Sequence, residues 1–113
     1  MPRNMSFAMT TPQMYGKTKD VTRRFGWWFL KPGDQVMAVE KAMGLRKGET
    51  IVRIGLIEVV STRAEPLRDI TEDDCRREGF PAFRPDDFIG MLVDHYGCDA
   101  AKSVNRIEFR HLY

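Results

Sequence analysis

The chain has 113 residues, of which 42% are hydrophobic and 30% charged, a composition typical of one globular domain, which we expect to span 1–113. No apolar run approaches the roughly 20 residues that cross a bilayer, and no apolar secretory-signal segment opens the chain, so we expect no membrane partner. The two cysteines form no disulfide framework, which predicts a reducing, cytoplasmic location, and a net charge of +2 is too small to demand a nucleic-acid partner.

The first third of the chain predicts short strands and tight turns. Small and apolar residues alternate over 5–11, which indicates a half-buried strand. Residues 12–16 predict one helical turn closed by glycine, and the aromatic-rich segment 24–30 predicts an extended chain with alternate aromatic side chains on one face. A Pro-Gly turn at 31–34 then leads into a strand over 35–41.

The remainder predicts a long central strand, two helices and a last strand. Residues 50–62 are nearly apolar on both faces, and Gly55 inside this strand indicates a bend or bulge. A cap at Thr71 and a stop at Gly79 predict one helix within 69–79, and Pro85 predicts the start of another within 84–97. Residues 104–112 alternate as a strand whose charged residues lie on one wet face. These elements predict an α+β protein, a small curved β-barrel with short helices at its rim.

A basic cluster carries the first candidate chemistry. If its chain is extended, Lys19 and Arg23 share one face, and Thr22 and Arg24 share the other; on a loop these side chains could converge. A lysine crowded by two guanidinium groups and desolvated by nearby aromatics would have a lowered pKa, as a general base requires, and such a base could activate the Thr22 hydroxyl. The alternative is a solvated basic loop with one or two salt bridges.

Two adjacent tryptophans are candidates for stacking on a nucleobase. We assign Trp27 and Trp28 to substrate binding, since aromatic side chains stack on bases of any sequence. The alternative is a core role, because adjacent residues of a strand point to opposite faces and at least one ring would then be buried.

Other titratable residues give weaker signals. Glu78 by itself is interpreted as a surface acid at the end of a helix. His95 and Cys98 are too few for a zinc site, which needs three or four ligands, so we predict no metal and interpret His95 as a helix-face residue. The common nucleotide-binding and hydrolase motifs are missing from the sequence, and we expect no cofactor.

The stretch GKTKDVTRR, residues 16–24, resembles the signature of the ASCH domains, small relatives of the PUA-like barrels that handle RNA or modified nucleosides. Lys19, Thr22 and Arg24 match that signature, whereas Asp20 stands where the family usually has threonine. The resemblance covers roughly residues 5–110, with further matches at 29–40, 50–62, 67–80 and 104–112.

This resemblance implies a PUA-like barrel with a cleft between barrel and helices. Some ASCH members are amidohydrolases that remove the acetyl group of N4-acetylcytidine with a lysine, a threonine and a glutamate, which correspond here to Lys19, Thr22 and Glu78. Arg24 or a backbone N–H could stabilise the oxyanion, and Arg23 joins the substrate-binding set. Asp20 would favour the charged form of its neighbour Lys19 and oppose its action as a base.

Three functions therefore stay open at the level of sequence. The first is an amidohydrolase acting on an acylated cytosine. The second is a non-catalytic module that binds RNA or a modified base, and the third is a weak ribonuclease that relies on lysine and glutamate. In each case the expected partner is RNA or a modified nucleoside or nucleobase, and we expect a monomer or weak homodimer.

Overall fold

The computed structural model describes residues 3–42 and 45–112. The strands within these ranges are β1 (Arg3–Ser6), β2 (Val21–Arg24), β3 (Gln35–Val39), β4 (Arg53–Pro66) and β5 (Ser103–His111). The helices are α1 (Thr11–Tyr15), α2 (Glu72–Arg77) and α3 (Pro85–Tyr96), with a 3₁₀ turn at Leu67–Asp69. The predicted α+β class is confirmed.

The strands form one curled five-stranded sheet in the order β1-β3-β4-β5-β2. β1 runs parallel to β3, and the other neighbouring strands are antiparallel. The register of β4 shifts twice, opposite Ala38/Val39 on β3 and again between Val59 and Ser61 on β4 itself. Such bulges bend a strand and increase its twist. The predicted bend near Gly55 is confirmed, because Gly55 pairs with Ala38 at the first shift.

The curl brings the two edge strands of this half-barrel close to each other. Arg24, at the end of β2, donates a hydrogen bond of 2.7 Å from its guanidinium to the backbone carbonyl of Ser6, at the end of β1. An arginine side chain therefore links the two edges of the sheet. It also places its charge at the rim that faces the helices.

Two apolar clusters fill the interior. The first consists of Met5, Phe7, Met14, Leu30, Val36, Ala38, Ile57, Val59, Ile107 and Phe109. The second consists of Leu67, Ile70, Cys75, Phe88, Leu92 and Val104. Helices α2 and α3 supply part of the second cluster because their apolar residues recur at helical spacing.

The segment after β2 differs from its predicted extended conformation. The strand ends at Arg24, and residues 25–30 form a loop with a turn, so the extended interpretation is wrong beyond that point. Trp27 has a φ of 62°, which is uncommon for a residue other than glycine. Its carbonyl accepts hydrogen bonds from the buried Asn105 amide at 2.9 Å and from the Leu30 N–H at 3.1 Å. These contacts from distant and local residues override the strand propensity of the aromatic run.

Candidate functional site

A cavity of about 220 Å³ lies between the sheet rim and helix α3. Its polar lining includes Lys19, Thr22, Arg24 and Glu78, and its other walls include the aromatic and aliphatic side chains Phe7, Phe80, Phe88 and Leu92. The lining combines residues of both apolar clusters. The three residues predicted for catalysis thus border the same space.

The turn after α2 directs Glu78 inward. Thr71 caps the start of this helix by accepting a hydrogen bond from the Asp74 N–H at 3.2 Å, as the sequence predicts. Gly79 then reverses the chain with a φ of +99°, and a β-carbon there would lie 2.5 Å from the Gln13 side chain. Glu78 is only 2% exposed. Its interpretation as a surface acid is wrong, because the helix end is packed against the sheet.

Lys19 and Glu78 form a buried ion pair. The Lys19 Nζ donates to the Glu78 backbone carbonyl at 3.0 Å and to its carboxylate, and Lys19 is only 2% exposed. Burial lowers the pKa of Lys19, since the ammonium loses its hydration, whereas the Glu78 carboxylate favours the charged form. Arg24 and Arg23 add to the lowering by repulsion, and the lowering prevails.

Asp20 does not act on Lys19 as the sequence suggests. Its carboxylate lies 3.1 Å and 3.2 Å from the Arg77 guanidinium, and this hydrogen bond is the main cause of the raised pKa of Arg77. The backbone of Asp20 bonds to α2 and β5 through Arg77 and Phe109. The acid that contacts Lys19 is therefore Glu78.

Thr22 and Arg24 lie on the same face of β2 and interact directly. The Arg24 Nε donates to the Thr22 Oγ1 at 3.0 Å, and the guanidinium lies 4.6 Å above the Phe7 ring. A hydroxyl has one proton and two acceptor lone pairs. Because Arg24 uses one lone pair, the Thr22 proton remains available to a basic partner in the cavity.

A charge network borders the cavity, which two of its members line; it consists of Arg23, Glu65, Asp74, Glu78 and Arg106. Arg23 contacts all three acids of the network, at 3.2 Å to Glu65, at 3.4 Å to Glu78 and in a close pair with Asp74. Arg106 holds Asp74 at 2.8 Å and 2.9 Å. Hydrogen bonds from Arg106 and then Arg23 keep the pKa of Asp74 far below its usual range, although burial opposes them.

The sequence analysis missed most of this network. Arg106 is only 6% exposed, so its expected place on a wet face of β5 is wrong. The strand alternation does not identify it, because an arginine can occupy an inward position when a buried acid neutralises it. Arg23 lines the cavity, but its hydrogen bonds are to the carboxylates of the network.

The two tryptophans lie in different places. Trp27 lines a second depression of about 380 Å³, which we call the aromatic groove; its lining includes Arg3, Arg24, Phe25, Trp27, Phe29 and Tyr96. Trp28 is 53% exposed, and the described lining of neither space includes it. Of the two, only Trp27 adjoins the cavity region.

His95 and Tyr96 are cavity residues that sequence reasoning did not assign to a site. Both are exposed at the end of α3 and line the mouth of the cavity, with ring centroids 4.6 Å apart. The signal was their helical spacing from Phe88 and Leu92, which are buried as predicted. Over 3–42 and 45–112, no group of three or more His, Cys, Asp or Glu side chains could hold a metal ion.

The fold and the cavity together define a small curled half-barrel protein with a buried, charged pocket under its rim. No family model and no curated protein matches the sequence. The crystal structure of protein EF3133 from Enterococcus faecalis V583, of the DUF984 family, is similar with a TM-score of 0.68 and 11% identity, over 99% of this chain and 80% of that one. The crystal structure of hypothetical protein PH0355 has a TM-score of 0.70 and 15% identity, over 99% and 100%. At these identities the similarity establishes the fold alone.

In the part of the chain that the structure covers, every helix is too short or too polar to cross a membrane.

Proposed function

We propose that the protein is an ASCH-type amidohydrolase that hydrolyses the N4-acyl amide of a cytosine base in a nucleoside or in RNA. The observation that carries this proposal is the meeting of an amine, a hydroxyl and a carboxylate at one cavity. Lys19 and Glu78 are 59 residues apart in the sequence and form a buried pair, and Thr22 lines the same space. This arrangement supports the roles that the motif resemblance implies.

The size of the cavity favours a single base as the reacting group. Pockets that hold drug-sized ligands occupy roughly 300–1,000 Å³, whereas this cavity has about 220 Å³. Aromatic walls from Phe80 and Phe88 suit the flat face of a pyrimidine.

The proposed reaction begins with proton transfer. The neutral Lys19 amine accepts the Thr22 hydroxyl proton, and the Thr22 Oγ1 attacks the acyl carbon. The resulting oxyanion is stabilised by the Arg24 guanidinium. The proton on Lys19 is then delivered to the N4 nitrogen, with Glu78 orienting the ammonium, and the C–N bond breaks. Water hydrolyses the acyl-threonine, which releases the carboxylic acid and restores the hydroxyl.

Incubation of the purified protein with N4-acetylcytidine, with release of cytidine measured, tests the proposal. We expect Lys19→Ala to reduce kcat/KM by roughly 100- to 10,000-fold, the usual contribution of a general base. Lys19→Arg keeps the positive charge but cannot act as a base, because a guanidinium does not deprotonate in proteins, so it should lose activity similarly. Lys31→Ala, which removes an exposed lysine, is the matched control.

Measurements of folding and of hydrolysis on the same variants separate a loss of catalysis from a loss of structure. Circular dichroism and the unfolding midpoint establish which variants are folded. Hydrolysis by folded Lys19→Ala at the wild-type rate, or no hydrolysis by wild type, would contradict the proposal. Thr22→Val, which replaces the hydroxyl by a methyl group, should be as inactive as Lys19→Ala.

A binding module without catalysis is the second candidate, and one observation favours it. The Glu78 carboxylate raises the pKa of Lys19, against the effect of burial, and a charged Lys19 would bind an anionic or carbonyl-bearing ligand rather than accept a proton. In that case N4-acetylcytidine binds without being hydrolysed. RNA affinity would then fall steeply with salt, and Lys19→Ala would weaken binding alone.

A further inference from the structure

We propose that the aromatic groove binds the phosphate-bearing side of a nucleotide whose base occupies the cavity, so that the preferred substrate carries a phosphate. This inference rests on the proposed function for the identity of the base. The residues that carry it, Arg3 and Phe29, belong to the groove and not to the cavity.

The groove and the cavity form one continuous depression. Arg23, Arg24 and Tyr96 line both spaces, so they form the boundary between the two. A ligand seated in the cavity by its base can extend over this boundary without leaving the protein surface. The groove is also the larger space, at about 380 Å³.

The charge of the groove favours an anion. Its lining, among the residues that the structure describes, contains three arginines and no acidic residue. Arg23 is already neutralised by its contacts with Glu65 and Asp74, so Arg3 and Arg24 supply the positive potential. Arginine is suited to phosphate because its planar fork donates two parallel hydrogen bonds.

Arg3 is held over the groove by an aromatic ring. It is exposed, and its guanidinium carbon lies 4.8 Å from the centroid of the Phe29 ring, a cation–π contact that restricts the side chain. Phe29 in turn lies 5.6 Å from Trp27. Trp27 is anchored through its carbonyl by the Asn105 amide at 2.9 Å.

The flat side chains of the groove also suit a sugar or a neighbouring base. Phe25, Trp27, Phe29 and Tyr96 all contribute to its lining. A positive groove with aromatic side chains is the usual arrangement for single-stranded nucleic acid. The phosphate is the shared chemistry, and it can come from a nucleoside monophosphate or from a strand.

The proposal can be tested by the binding of ligands that lack the acyl group, because the protein has no amide to hydrolyse in them. The ligands are cytidine, cytidine 5′-monophosphate, cytidine 3′-monophosphate and a short single-stranded RNA containing cytidine, each titrated into the wild-type protein by calorimetry. We expect at least one phosphorylated ligand to bind roughly 10-fold or more tightly than cytidine, as for hydrogen bonds to charged groups. If only the RNA gains affinity, the phosphate belongs to a strand; if a monophosphate gains it, a free nucleotide suffices.

The variants test whether the groove supplies the affinity advantage that phosphorylated ligands have over cytidine. Arg3→Gln should abolish most of it while leaving cytidine affinity within about twofold of the wild-type value. Phe29→Ala, which removes the ring that holds Arg3, should abolish most of it too. Lys31→Gln removes the same unit of charge from another exposed site and should keep the advantage. Trp28→Ala removes an equally exposed aromatic that adjoins Phe29 in sequence but lies outside the described groove lining, and it should keep the advantage too.

Equal affinity for cytidine and all phosphorylated ligands would overturn the proposal. So would an advantage that survives in both folded groove variants, or that Lys31→Gln removes as strongly as Arg3→Gln. For an RNA ligand, Arg3→Gln should also reduce the slope of log affinity against log salt by about 0.7, the value for one phosphate contact on a single strand. If N4-acetylcytidine is not hydrolysed but the Arg3-dependent advantage is present, only the proposed catalysis fails.

Discussion

The two ends of the buried charge network differ in whether their charges can change. At one end Asp74 lies between Arg106 and Arg23, and the pKa of its carboxyl is strongly lowered. At the other end Glu78 contacts Lys19 closely, with Arg23 at 3.4 Å, and burial lowers the pKa of Lys19. The Asp74 end therefore stabilises the charged form of its acid, whereas burial at the Lys19 end destabilises the charged form of the lysine.

The chemistry of the cations explains the difference. A guanidinium cannot lose its proton in a protein, so it must always be paired when it is buried. An ammonium can become neutral when burial costs too much. The Asp74 end is therefore a permanent structural pair, whereas the Lys19 end has a protonation state that depends on its surroundings, as a catalytic site needs.

Asp74→Asn should have the largest effect on stability. It removes the charge that neutralises two buried arginines, and breaking such a pair costs about 3–5 kcal/mol. This is a large part of the roughly 5–15 kcal/mol that stabilises a domain. Urea denaturation should show a much lower midpoint. Asp73→Asn, on the exposed side of the same helix, is the control and should cost at most about 1 kcal/mol. Equal losses of stability in the two variants would contradict the role of Asp74 as the acid that neutralises the buried arginines.

Glu78→Gln should destabilise less than Asp74→Asn, although both acids are buried. The Lys19 amine left without its carboxylate can lose its proton, so we expect about 1–3 kcal/mol, the cost of a weakened buried hydrogen bond. The same urea series measures both variants. If Glu78→Gln destabilises the protein more than Asp74→Asn does, then Lys19 does not lose its proton when its carboxylate partner is removed.

The pH dependence of hydrolysis should report the Lys19 end. With the neutral amine as base, kcat/KM should rise about tenfold per pH unit and level off below pH 10.5, the ordinary lysine pKa. Glu78→Gln should move this midpoint lower, because the carboxylate raises the pKa.

The free energy of unfolding should also depend on pH, because the pKa of Lys19 is lower in the folded chain than in the unfolded one. Between the lowered pKa and 10.5 the unfolded chain binds more protons at this lysine than the folded chain does, so this group makes stability rise with pH there. A pH profile of kcat/KM that stays flat, or one whose midpoint lies at the ordinary lysine pKa, would argue against Lys19 as the base.

Arg76→Ala should have the smallest effect. Arg76 pairs with Asp73 on the surface of α2, where both side chains are 64% exposed. Solvent screens such a pair, so we expect at most about 0.5 kcal/mol in urea denaturation. A loss comparable with that of Asp74→Asn would show that burial is not what separates the two kinds of ion pair.

Local patterns in the sequence predicted much of the architecture because the forces that produce it are local. The Thr71 cap and the Gly79 stop bound α2, and Gly55 marks the bend of the central strand. The strand over 5–11 was less accurate, since β1 ends at Ser6 and α1 begins at Thr11. Boundaries of this kind depend on how neighbouring elements pack.

The site was only partly accessible from the sequence. The motif at 16–24 pointed to Lys19, Thr22 and Arg24, which all line the cavity. Glu78 was assigned through the family resemblance, whereas its composition-based interpretation as a surface acid failed. Arg106 gave no signal, since its inward position depends on an acid 32 residues away in the sequence.

By itself the sequence determined the α+β class, the order of most of the elements and the residue types that chemistry requires. Only the tertiary structure decided which of the charged side chains are buried and which acid each base meets. The physical reason is that the free energy of a charge depends on its distance from water and from the opposite charge. Both distances are set by the curl of the sheet against α2 and α3, which no local pattern encodes.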